Sequence, residues 1–266
     1  MKRLLISLLA TIAVAGSYAQ SFEGTIRWHI SIDITDPKIL ASIAQTKKEA
    51  ADTATRKKVA DLRKKMSDPA YKAFLDGSPD LRAQYKGMIM ALEGASPAEM
   101  VPNEMVLKLK LKNTVTIMKG GIEDGYEVLY LGDKNEVYRI YHDTKKHSLI
   151  RQDTMKAKFI RKVSKTVETM EILGYKCTKY FVEISPWNFA IYWATDEIEG
   201  VDTKTIANHH MGKEKSFMYP EVDGVPLRIE SRVPQGTYIM EAIEVKKEAH
   251  PAEVFQIPAG YVPRFK

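Results

Sequence analysis

Residues 22–34 alternate strictly between apolar and polar side chains, and no other feature of the sequence constrains the fold as much. Successive side chains of a β-strand point to opposite faces, so the pattern predicts a long strand with one apolar face. The alternation returns after residue 103 in a series of short segments, ending at 226–233, 238–245 and a short edge strand at 254–258. A sheet of so many strands curls. The chain is therefore predicted to form a curved, antiparallel half-barrel sheet of about ten strands.

A helical segment interrupts the strands between residues 37 and 94. Its sequence is rich in Ala, Lys, Glu and Arg, and its apolar stripes are too sparse to bury a core of their own. These helices are expected to cover part of one face of the sheet, which gives an α+β fold in a single domain over residues 20–266. An N-capping residue followed by proline is typical of a helix start. Such pairs stand at Asp36-Pro37, Asp68-Pro69 and Ser78-Pro79.

The N-terminus has the order of features of a secretory signal peptide over residues 1–19. Lys2 and Arg3 precede an apolar stretch, and small residues follow it. The stretch is too short to span the ~30 Å of a bilayer comfortably. Cleavage is predicted between Ala19 and Gln20, and no cysteine follows the apolar stretch for lipid attachment. The mature protein is expected to be exported to the periplasm, soluble and not lipid-anchored.

Several short segments resemble one family of exported bacterial proteins. They are Phe22-Glu23-Gly24, residues 172–180, residues 191–195, Gly224-Val225-Pro226 and residues 257–261. Together they resemble domain-of-unknown-function family 4412, which is similar to the periplasmic lipoprotein carriers (LolA-like) and their outer-membrane receptors. The resemblance implies a half-barrel of antiparallel strands whose concave face can hold acyl chains. The large helical segment after the first strand departs from the carriers.

Rows of apolar and aromatic side chains could line that concave face. The alternation predicts that the three tryptophans point inward. Two interpretations stay open, because the rows suit either a filled core or an apolar lining that remains open for a ligand. The candidate ligand-lining residues are Trp28, Ile30, Ile32, Leu107, Leu109, Tyr180, Val182, Trp187, Phe189, Ile191 and Trp193.

The positive charge of the chain is concentrated in the helical segment. The whole chain has a net charge of +6, and residues 37–94 contain 12 Lys/Arg against 7 Asp/Glu. This balance falls short of the dense basic stripe of a nucleic-acid binder. The basic face could be solvated, or it could contact an anionic membrane surface or an envelope protein. The candidate anionic-surface residues are Arg56, Lys57, Lys58, Arg63, Lys64 and Lys65.

No arrangement of residues indicates catalysis or metal binding. The sequence has neither a phosphate-binding glycine loop nor a Gly-x-Ser-x-Gly elbow. His142 and His147 are five residues apart and His209 and His210 are adjacent, and neither spacing suits a zinc site. Cys177 is expected to be a small buried hydrophobe rather than a reactive thiol. The protein is therefore predicted not to be an enzyme and to need no cofactor or metal.

These features favour a non-enzymatic envelope protein that binds a lipid or another apolar ligand in the half-barrel. The alternative is a protein-interaction or scaffold module with a filled core, and a hydrolase-like enzyme comes third. An open apolar cavity would support the first hypothesis. A solid core beside a large exposed patch would support the second.

Overall fold

The computed structural model describes residues 21–150, 162–185, 188–203, 219, 221–233 and 236–264. The predicted leader with its cleavage site at Ala19 and Gln20 lies outside these residues, as do Trp187 and the pair His209 and His210. The predictions that concern them stay predictions.

Twelve strands form one open sheet within the described chain. They are β1 (Gly24–Asp33), β2 (Glu104–Lys110), β3 (Asn113–Lys119), β4 (Glu127–Leu131), β5 (Glu136–Tyr141), β6 (Lys146–Ile150), β7 (Lys162–Ile172), β8 (Tyr175–Ser185), β9 (Asn188–Thr195), β10 (Val225–Val233), β11 (Gly236–Lys247) and β12 (Val262–Pro263). Their spatial order is β12-β6-β5-β4-β3-β2-β1-β11-β10-β9-β8-β7. Every pairing is antiparallel except that of β12 with β6. The predicted antiparallel half-barrel is confirmed, with twelve strands in place of about ten.

The first strand is the central seam of this sheet. β1 pairs with β2 on one side and with β11 on the other, so that Ile26 lies between Leu107 and Val245. From this seam the chain meanders outward in both directions. The strict alternation of residues 22–34 is thus the pattern of a strand with two hydrogen-bonded neighbours and one apolar face, which is buried as far as Ile30.

Five helices separate β1 from β2. They are α1 (Pro37–Ala50), α2 (Thr53–Ser67), α3 (Pro69–Asp76), α4 (Pro79–Leu92) and α5 (Pro97–Met100). The aspartates predicted as caps are confirmed, since Asp36 accepts a hydrogen bond from the Lys38 amide and Asp68 accepts from the Ala70 and Tyr71 amides. Ser78 precedes α4 without a side-chain cap bond.

The helices pack thinly, as their sparse apolar stripes predicted. Within the described chain, α1 buries none of its 14 residues, and α2 and α3 bury only Val59 and Leu75. In α4, Ile89 is the buried side chain. A helix that buries so little apolar surface is held by little free energy, at about 25 cal/mol for each Å². The helical cover is therefore the weakly attached part of the fold.

The C-terminal tail differs from the sequence prediction. The edge strand predicted at 254–258 is wrong, because Ala252–Phe255 forms a 3₁₀ helix. Phe255 is 4% exposed and packs against Val115, Leu129 and Ile140 on the sheet. The edge strand is instead β12, further along the tail. Burial of the Phe255 side chain favours the 3₁₀ helix, and period-two alternation in the sequence does not predict this contact with distant strands.

Candidate functional site

One row of cross-strand pairs defines the inner face of the sheet. From β1 to β8 the row is Ile30, Met240, Ile229, Tyr192 and Tyr180. Paired residues share a face, and so do residues two apart in a regular strand. The inner face therefore carries seven of the predicted lining residues, namely Trp28, Ile30, Ile32, Leu107, Leu109, Tyr180 and Val182.

The adjacent row places three predicted lining residues on the opposite, outer face. This row is His29, Glu241, Arg228, Trp193 and Lys179. Phe189 and Ile191 precede Trp193 by four and two residues in β9, so they are outer residues as well. The prediction that Trp28 and Trp193 both point inward is wrong. Both faces of β9 carry aromatic side chains, and alternation within one strand does not say which face meets the core.

Trp193 is a buried member of the hydrophobic core cluster on the outer face, and a basic side chain lies over its ring. Its side chain is 8% exposed, and the Lys179 ammonium lies 5.5 Å from the centroid of its ring. The same ammonium is 5.0 Å from the ring of Phe181. Long basic side chains cover aromatic surface with their apolar stems while the charge stays in water.

Six of the seven inner-face candidates lie in a packed core, and Ile32, near the end of β1, is half-buried. Trp28, Leu107 and Val182 each have 0% exposure, so none of them borders a space that water can enter. The indole Nε1 of Trp28 donates to the Pro226 carbonyl at 3.1 Å, which satisfies its polar atom. The centre of the inner face is therefore a filled core, and an open site must be sought at its margin.

A groove of about 590 Å³ lies at that margin, where α4 meets the sheet. Its lining comes from α4, from the turn before β4, and from the end of β5 with the two residues after it. Gly87 lets α4 approach the turn closely, because a Cβ at this position would come within 2.9 Å of the Ile122 side chain. The charged and aromatic residues of the lining are Asp80, Arg82, Lys86, Glu123, Asp124, Tyr126, Arg139, Tyr141, His142 and Asp143.

Arg139 lies between two aromatic rings of the groove. Its guanidinium carbon is 4.0 Å from the ring centroid of Tyr126 and 5.4 Å from that of Tyr141. Burial raises the pKa of the Tyr126 hydroxyl, with Arg139 opposing, so the ring meets the cation as a neutral phenol. Arg139 donates to Asp80 at 3.4 Å, and the Asp80 side chain is 76% exposed. A long, exposed ion pair contributes little free energy, so another anion can replace Asp80 with little loss of stability.

Two further cations border the groove. Arg82 forms ion pairs with Asp76, at 3.0 Å, and with Asp143. Lys86 forms no ion pair in the part of the chain that the structure describes. An anionic group in the groove would thus meet Lys86 and Arg139 as available cations, while Arg82 is already neutralised.

The side chain of His142 connects the C-terminal tail to β4 at the rim of the groove. Its Nε2 is 2.9 Å from a carboxylate oxygen of Glu127, and its Nδ1 is 2.9 Å from the hydroxyl of Tyr261. Among the described residues, no three metal-ligating side chains converge. Sequence reasoning passed over Arg139 and weighed His142 only as a metal ligand. A sequence signal for the site does exist, since a cation stands between aromatic residues of one strand in Tyr138-Arg139-Ile140-Tyr141-His142.

The six candidate anionic-surface residues all lie on α2, and all are exposed. Arg63 pairs with Glu93 at 2.6 Å. Lys57, Lys58 and Lys65 line a shallow hollow of about 370 Å³ together with Ala54, Asp61 and Leu62. The basic residues are therefore brought together on one helix surface, separate from the groove.

Cys177 is the buried hydrophobe that the sequence predicted. It is 0% exposed, and its Sγ lies 3.6 Å from the Tyr175 carbonyl. Burial raises the pKa of this thiol to about 11, with a smaller contribution from Glu197. At neutral pH it is a protonated, inert thiol.

Comparison with known protein families bears on strands β2 to β11 of the sheet. The model of the family described as Domain of unknown function (DUF4412) matches residues 89–261. The chain belongs to this family. The DUF4412 match runs from the end of α4 to Tyr261, so it includes the groove residues of the sheet and leaves out most of the helical cover. The resemblance drawn from the short sequence segments is confirmed.

Solved structures similar to this DUF4412 chain are distant. The lipoprotein LppX of Mycobacterium tuberculosis aligns with a TM-score of 0.29 at 8% identity, over 85% of this chain and 90% of that one. An uncharacterized conserved protein of Thermus thermophilus aligns with a TM-score of 0.38 at 10% identity, over 60% and 81% of the two chains. PNGF-II aligns with a TM-score of 0.38 at 19% identity over 57% of this chain, which spans only 26% of that protein. No curated protein matches the sequence.

Proposed function

We propose that this protein is a non-enzymatic, exported binding protein that holds an anionic amphiphile, such as a lipid, in the groove between α4 and the sheet. The observation that carries the proposal is the position of Arg139 between Tyr126 and Tyr141. Among the described residues, its ion pair is with the exposed Asp80 alone. The site combines a cation ready to exchange its partner with aromatic and aliphatic walls. Such a mixture suits a ligand with a charged head and an apolar body.

The head of the ligand would meet two cations. Arg139 offers a planar fork of donors, which matches a carboxylate or a phosphate. Lys86 stands in the same groove without an ion pair among the described residues. An anion that displaces Asp80 would leave that carboxylate in solvent, where it is already 76% exposed.

The apolar body of the ligand would pass between the cover and the sheet. Next to Tyr126 on the sheet is a small apolar cluster of Val128, Tyr130 and Val137, with Ile150 at its margin. The cover above the sheet is thin, since none of the residues of α1 is buried. Moving it costs little, and each methylene group of an acyl chain that enters contributes about 0.8 kcal/mol.

Export is part of the proposal. It rests on the signal-peptide pattern of residues 1–19. Among the helices described, none is both long enough and apolar enough to cross a bilayer. The mass of the protein extracted from the cell envelope should correspond to a chain that begins at Gln20 without an acyl group. A retained leader would contradict this expectation.

Ligand binding can be tested with a fluorescent long-chain fatty acid below its critical micelle concentration. The wild-type protein should bind it saturably, and Arg139→Gln should weaken binding by at least tenfold. Arg232→Gln is the matched control, because Arg232 also lies over an aromatic ring, Phe189 at 5.8 Å, but on the outer face. Native mass spectrometry of the purified protein should show a co-purified lipid. If the wild type binds no probe, or both variants bind equally well, the proposal fails.

A protein-interaction module is the second candidate, favoured by the outer face of β8 and β9. Phe181 and Phe189 are 39% and 41% exposed there and are flanked by Lys179 and Arg232. Exposed aromatic residues beside basic ones are typical of interfaces. This candidate predicts that replacing both phenylalanines with serine abolishes a specific crosslink in the envelope while fatty-acid binding is absent from the wild type.

A further inference from the structure

We propose that the basic surface of α2 and the side chain of Phe74 together dock the protein on an anionic membrane. This inference rests on the proposed function, because it names the source from which an amphiphile would reach the groove. It is carried by contacts that run from Lys65 of α2 through the Tyr71 ring to the exposed Phe74 ring of α3.

The lysines of α2 form a row along one side of the helix. Lys57, Asp61 and Lys65 are spaced by four residues and are neighbours on the helix surface. With Lys58 and Leu62 they surround the hollow of about 370 Å³. Lys57 and Lys58 form no ion pair within the described ranges, although Arg63 and Lys72 on the same helical segment do. The surface is thus basic, with one aspartate among its three lysines.

The row ends at an aromatic pair. The Lys65 ammonium lies 4.7 Å from the centroid of the Tyr71 ring, and this ring is 5.9 Å from that of Phe74. Phe74 is 55% exposed, whereas its neighbour Leu75 is 1% exposed and anchors α3. One exposed phenylalanine is ordinary on a protein surface. What distinguishes this one is its contact with the Tyr71 ring, over which the Lys65 ammonium lies.

A lipid surface matches this combination of charge and ring. Lysines placed at the level of anionic headgroups gain electrostatic energy, while a phenylalanine beside them reaches the boundary of the acyl chains. Leu40 of α1 and Met88 of α4 are 48% and 40% exposed on the same helical cover. The cover therefore presents apolar side chains together with its excess of basic ones.

The docking surface is linked to the groove through α3. Asp76, two residues after Phe74, accepts hydrogen bonds from Lys72 at 2.7 Å and from Arg82 at 3.0 Å. Arg82 is one of the residues that line the groove. Insertion of Phe74 would thus place the membrane against α3, whose last residue, Asp76, pairs with a side chain that lines the groove. An amphiphile that leaves the membrane there would have a short path to the groove.

Vesicle sedimentation tests the lysines. The mature protein should bind phosphatidylcholine vesicles that contain phosphatidylglycerol and should not bind pure phosphatidylcholine. Replacing Lys57, Lys58 and Lys65 with glutamine should lower the partition coefficient about a hundredfold, since each lysine at an anionic surface contributes about fivefold. The matched control replaces three exposed lysines of the sheet segments, Lys112, Lys134 and Lys247, with glutamine and should retain binding. Equal loss in both triple variants, or no loss in either, would overturn the proposal.

Phe74 tests the geometry of docking. Phe74→Ala should lower the partition coefficient about tenfold, and Val167→Ala, at a residue of β7 that is 97% exposed, should not change it. In Phe74→Trp, brominated lipids should quench the new emission only in anionic vesicles. Absence of quenching while the protein is vesicle-bound would show that another surface docks, and the proposal would fail.

The two proposals fail separately. The triple lysine variant should bind the soluble fatty-acid probe like the wild type, and Arg139→Gln should sediment with anionic vesicles like the wild type. If the wild type binds vesicles but not the probe, the proposed ligand groove is refuted and the proposed docking surface stands. Probe binding by a wild-type protein that does not bind vesicles would refute the docking surface and leave the ligand groove in place.

Discussion

Trp28 and Trp193 lie on opposite faces of the sheet, although both side chains are buried. Trp28 is in the inner core, where its indole nitrogen donates to the Pro226 carbonyl at 3.1 Å. Trp193 lies on the outer face, paired across the sheet with Arg228 and Lys179. Both rings belong to the hydrophobic core cluster, but the cross-strand neighbours of Trp28 are the apolar Ala242 and Met105, whereas those of Trp193 are charged. We therefore expect the two rings to contribute differently to stability.

Trp28→Ala is expected to destabilise the protein by about 3–5 kcal/mol, the range for a large aromatic residue removed from a packed core. It also leaves the buried Pro226 carbonyl without its donor. Trp193→Ala should cost less, because flexible lysine and arginine side chains can close over the gap. Denaturant unfolding of the two variants measures the difference. An equal or larger loss in Trp193→Ala would show that the outer face carries core packing.

Gly224 is required by a close backbone approach. Its φ is +88°, and a Cβ at this position would lie 2.1 Å from the Thr195 carbonyl oxygen. Gly174 has a similar φ of +82° but open space around it. Both Gly→Ala variants incur the left-handed backbone cost of about 1–2 kcal/mol, so the extra loss in Gly224→Ala reports the clash alone. Thermal unfolding should give a clearly lower midpoint for Gly224→Ala than for Gly174→Ala, and equal midpoints would contradict the close approach of β9 to this turn.

The Glu104 carboxylate makes the stability of the fold depend on pH in the acid range. Hydrogen bonds from Arg27, at 3.0 Å, and from Lys119, at 2.6 Å, lower the pKa of this carboxyl below its ordinary value of 4.5. A lowered folded-state pKa means that the carboxylate stabilises the fold above the ordinary value, and that this contribution is lost as the pH falls through the folded value. Glu104→Gln should therefore be less stable than wild type at neutral pH.

The stability difference between wild type and Glu104→Gln should shrink as the pH falls below 4.5. Urea unfolding across this range measures it. Glu183→Gln, at an exposed residue of β8, is the control and should follow the wild-type profile. A constant difference between wild type and Glu104→Gln at all pH values would show that the loss is not electrostatic.

Cys177 should react with a thiol reagent only when the protein opens. The pKa of about 11 leaves almost no thiolate at pH 8, and the side chain is 0% exposed. Labelling with a chromogenic disulfide should be slow in native buffer and rapid in guanidinium chloride. The same assay checks that each surface variant is folded. Rapid labelling of the native protein would mean that β8 opens locally.

The sequence by itself determined the elements that depend on neighbours in the chain. Alternation at 22–34 specified a strand with one buried face, because side chains two apart share a face. The aspartate–proline pairs at Asp36 and Asp68 specified helix starts, because the carboxylate bonds to amides two or three residues ahead. The composition of residues Gly132 to Asn135 is typical of a hairpin turn, and Asn135 takes a φ of +52° there. These interactions span a few residues, so the local sequence is sufficient to predict them.

Only the tertiary structure decided where the candidate site lies. Arg139 and Asp80 are 59 residues apart, and they meet because α4 folds back over β5. The face on which Trp193 lies was decided by the register of β9 against β8 and β10, since both sets of alternate residues in β9 contain aromatic side chains. Alternation in the sequence predicts that a strand has two different faces. Which face packs into the core is decided by the free energy of burial against strands that are distant in the chain.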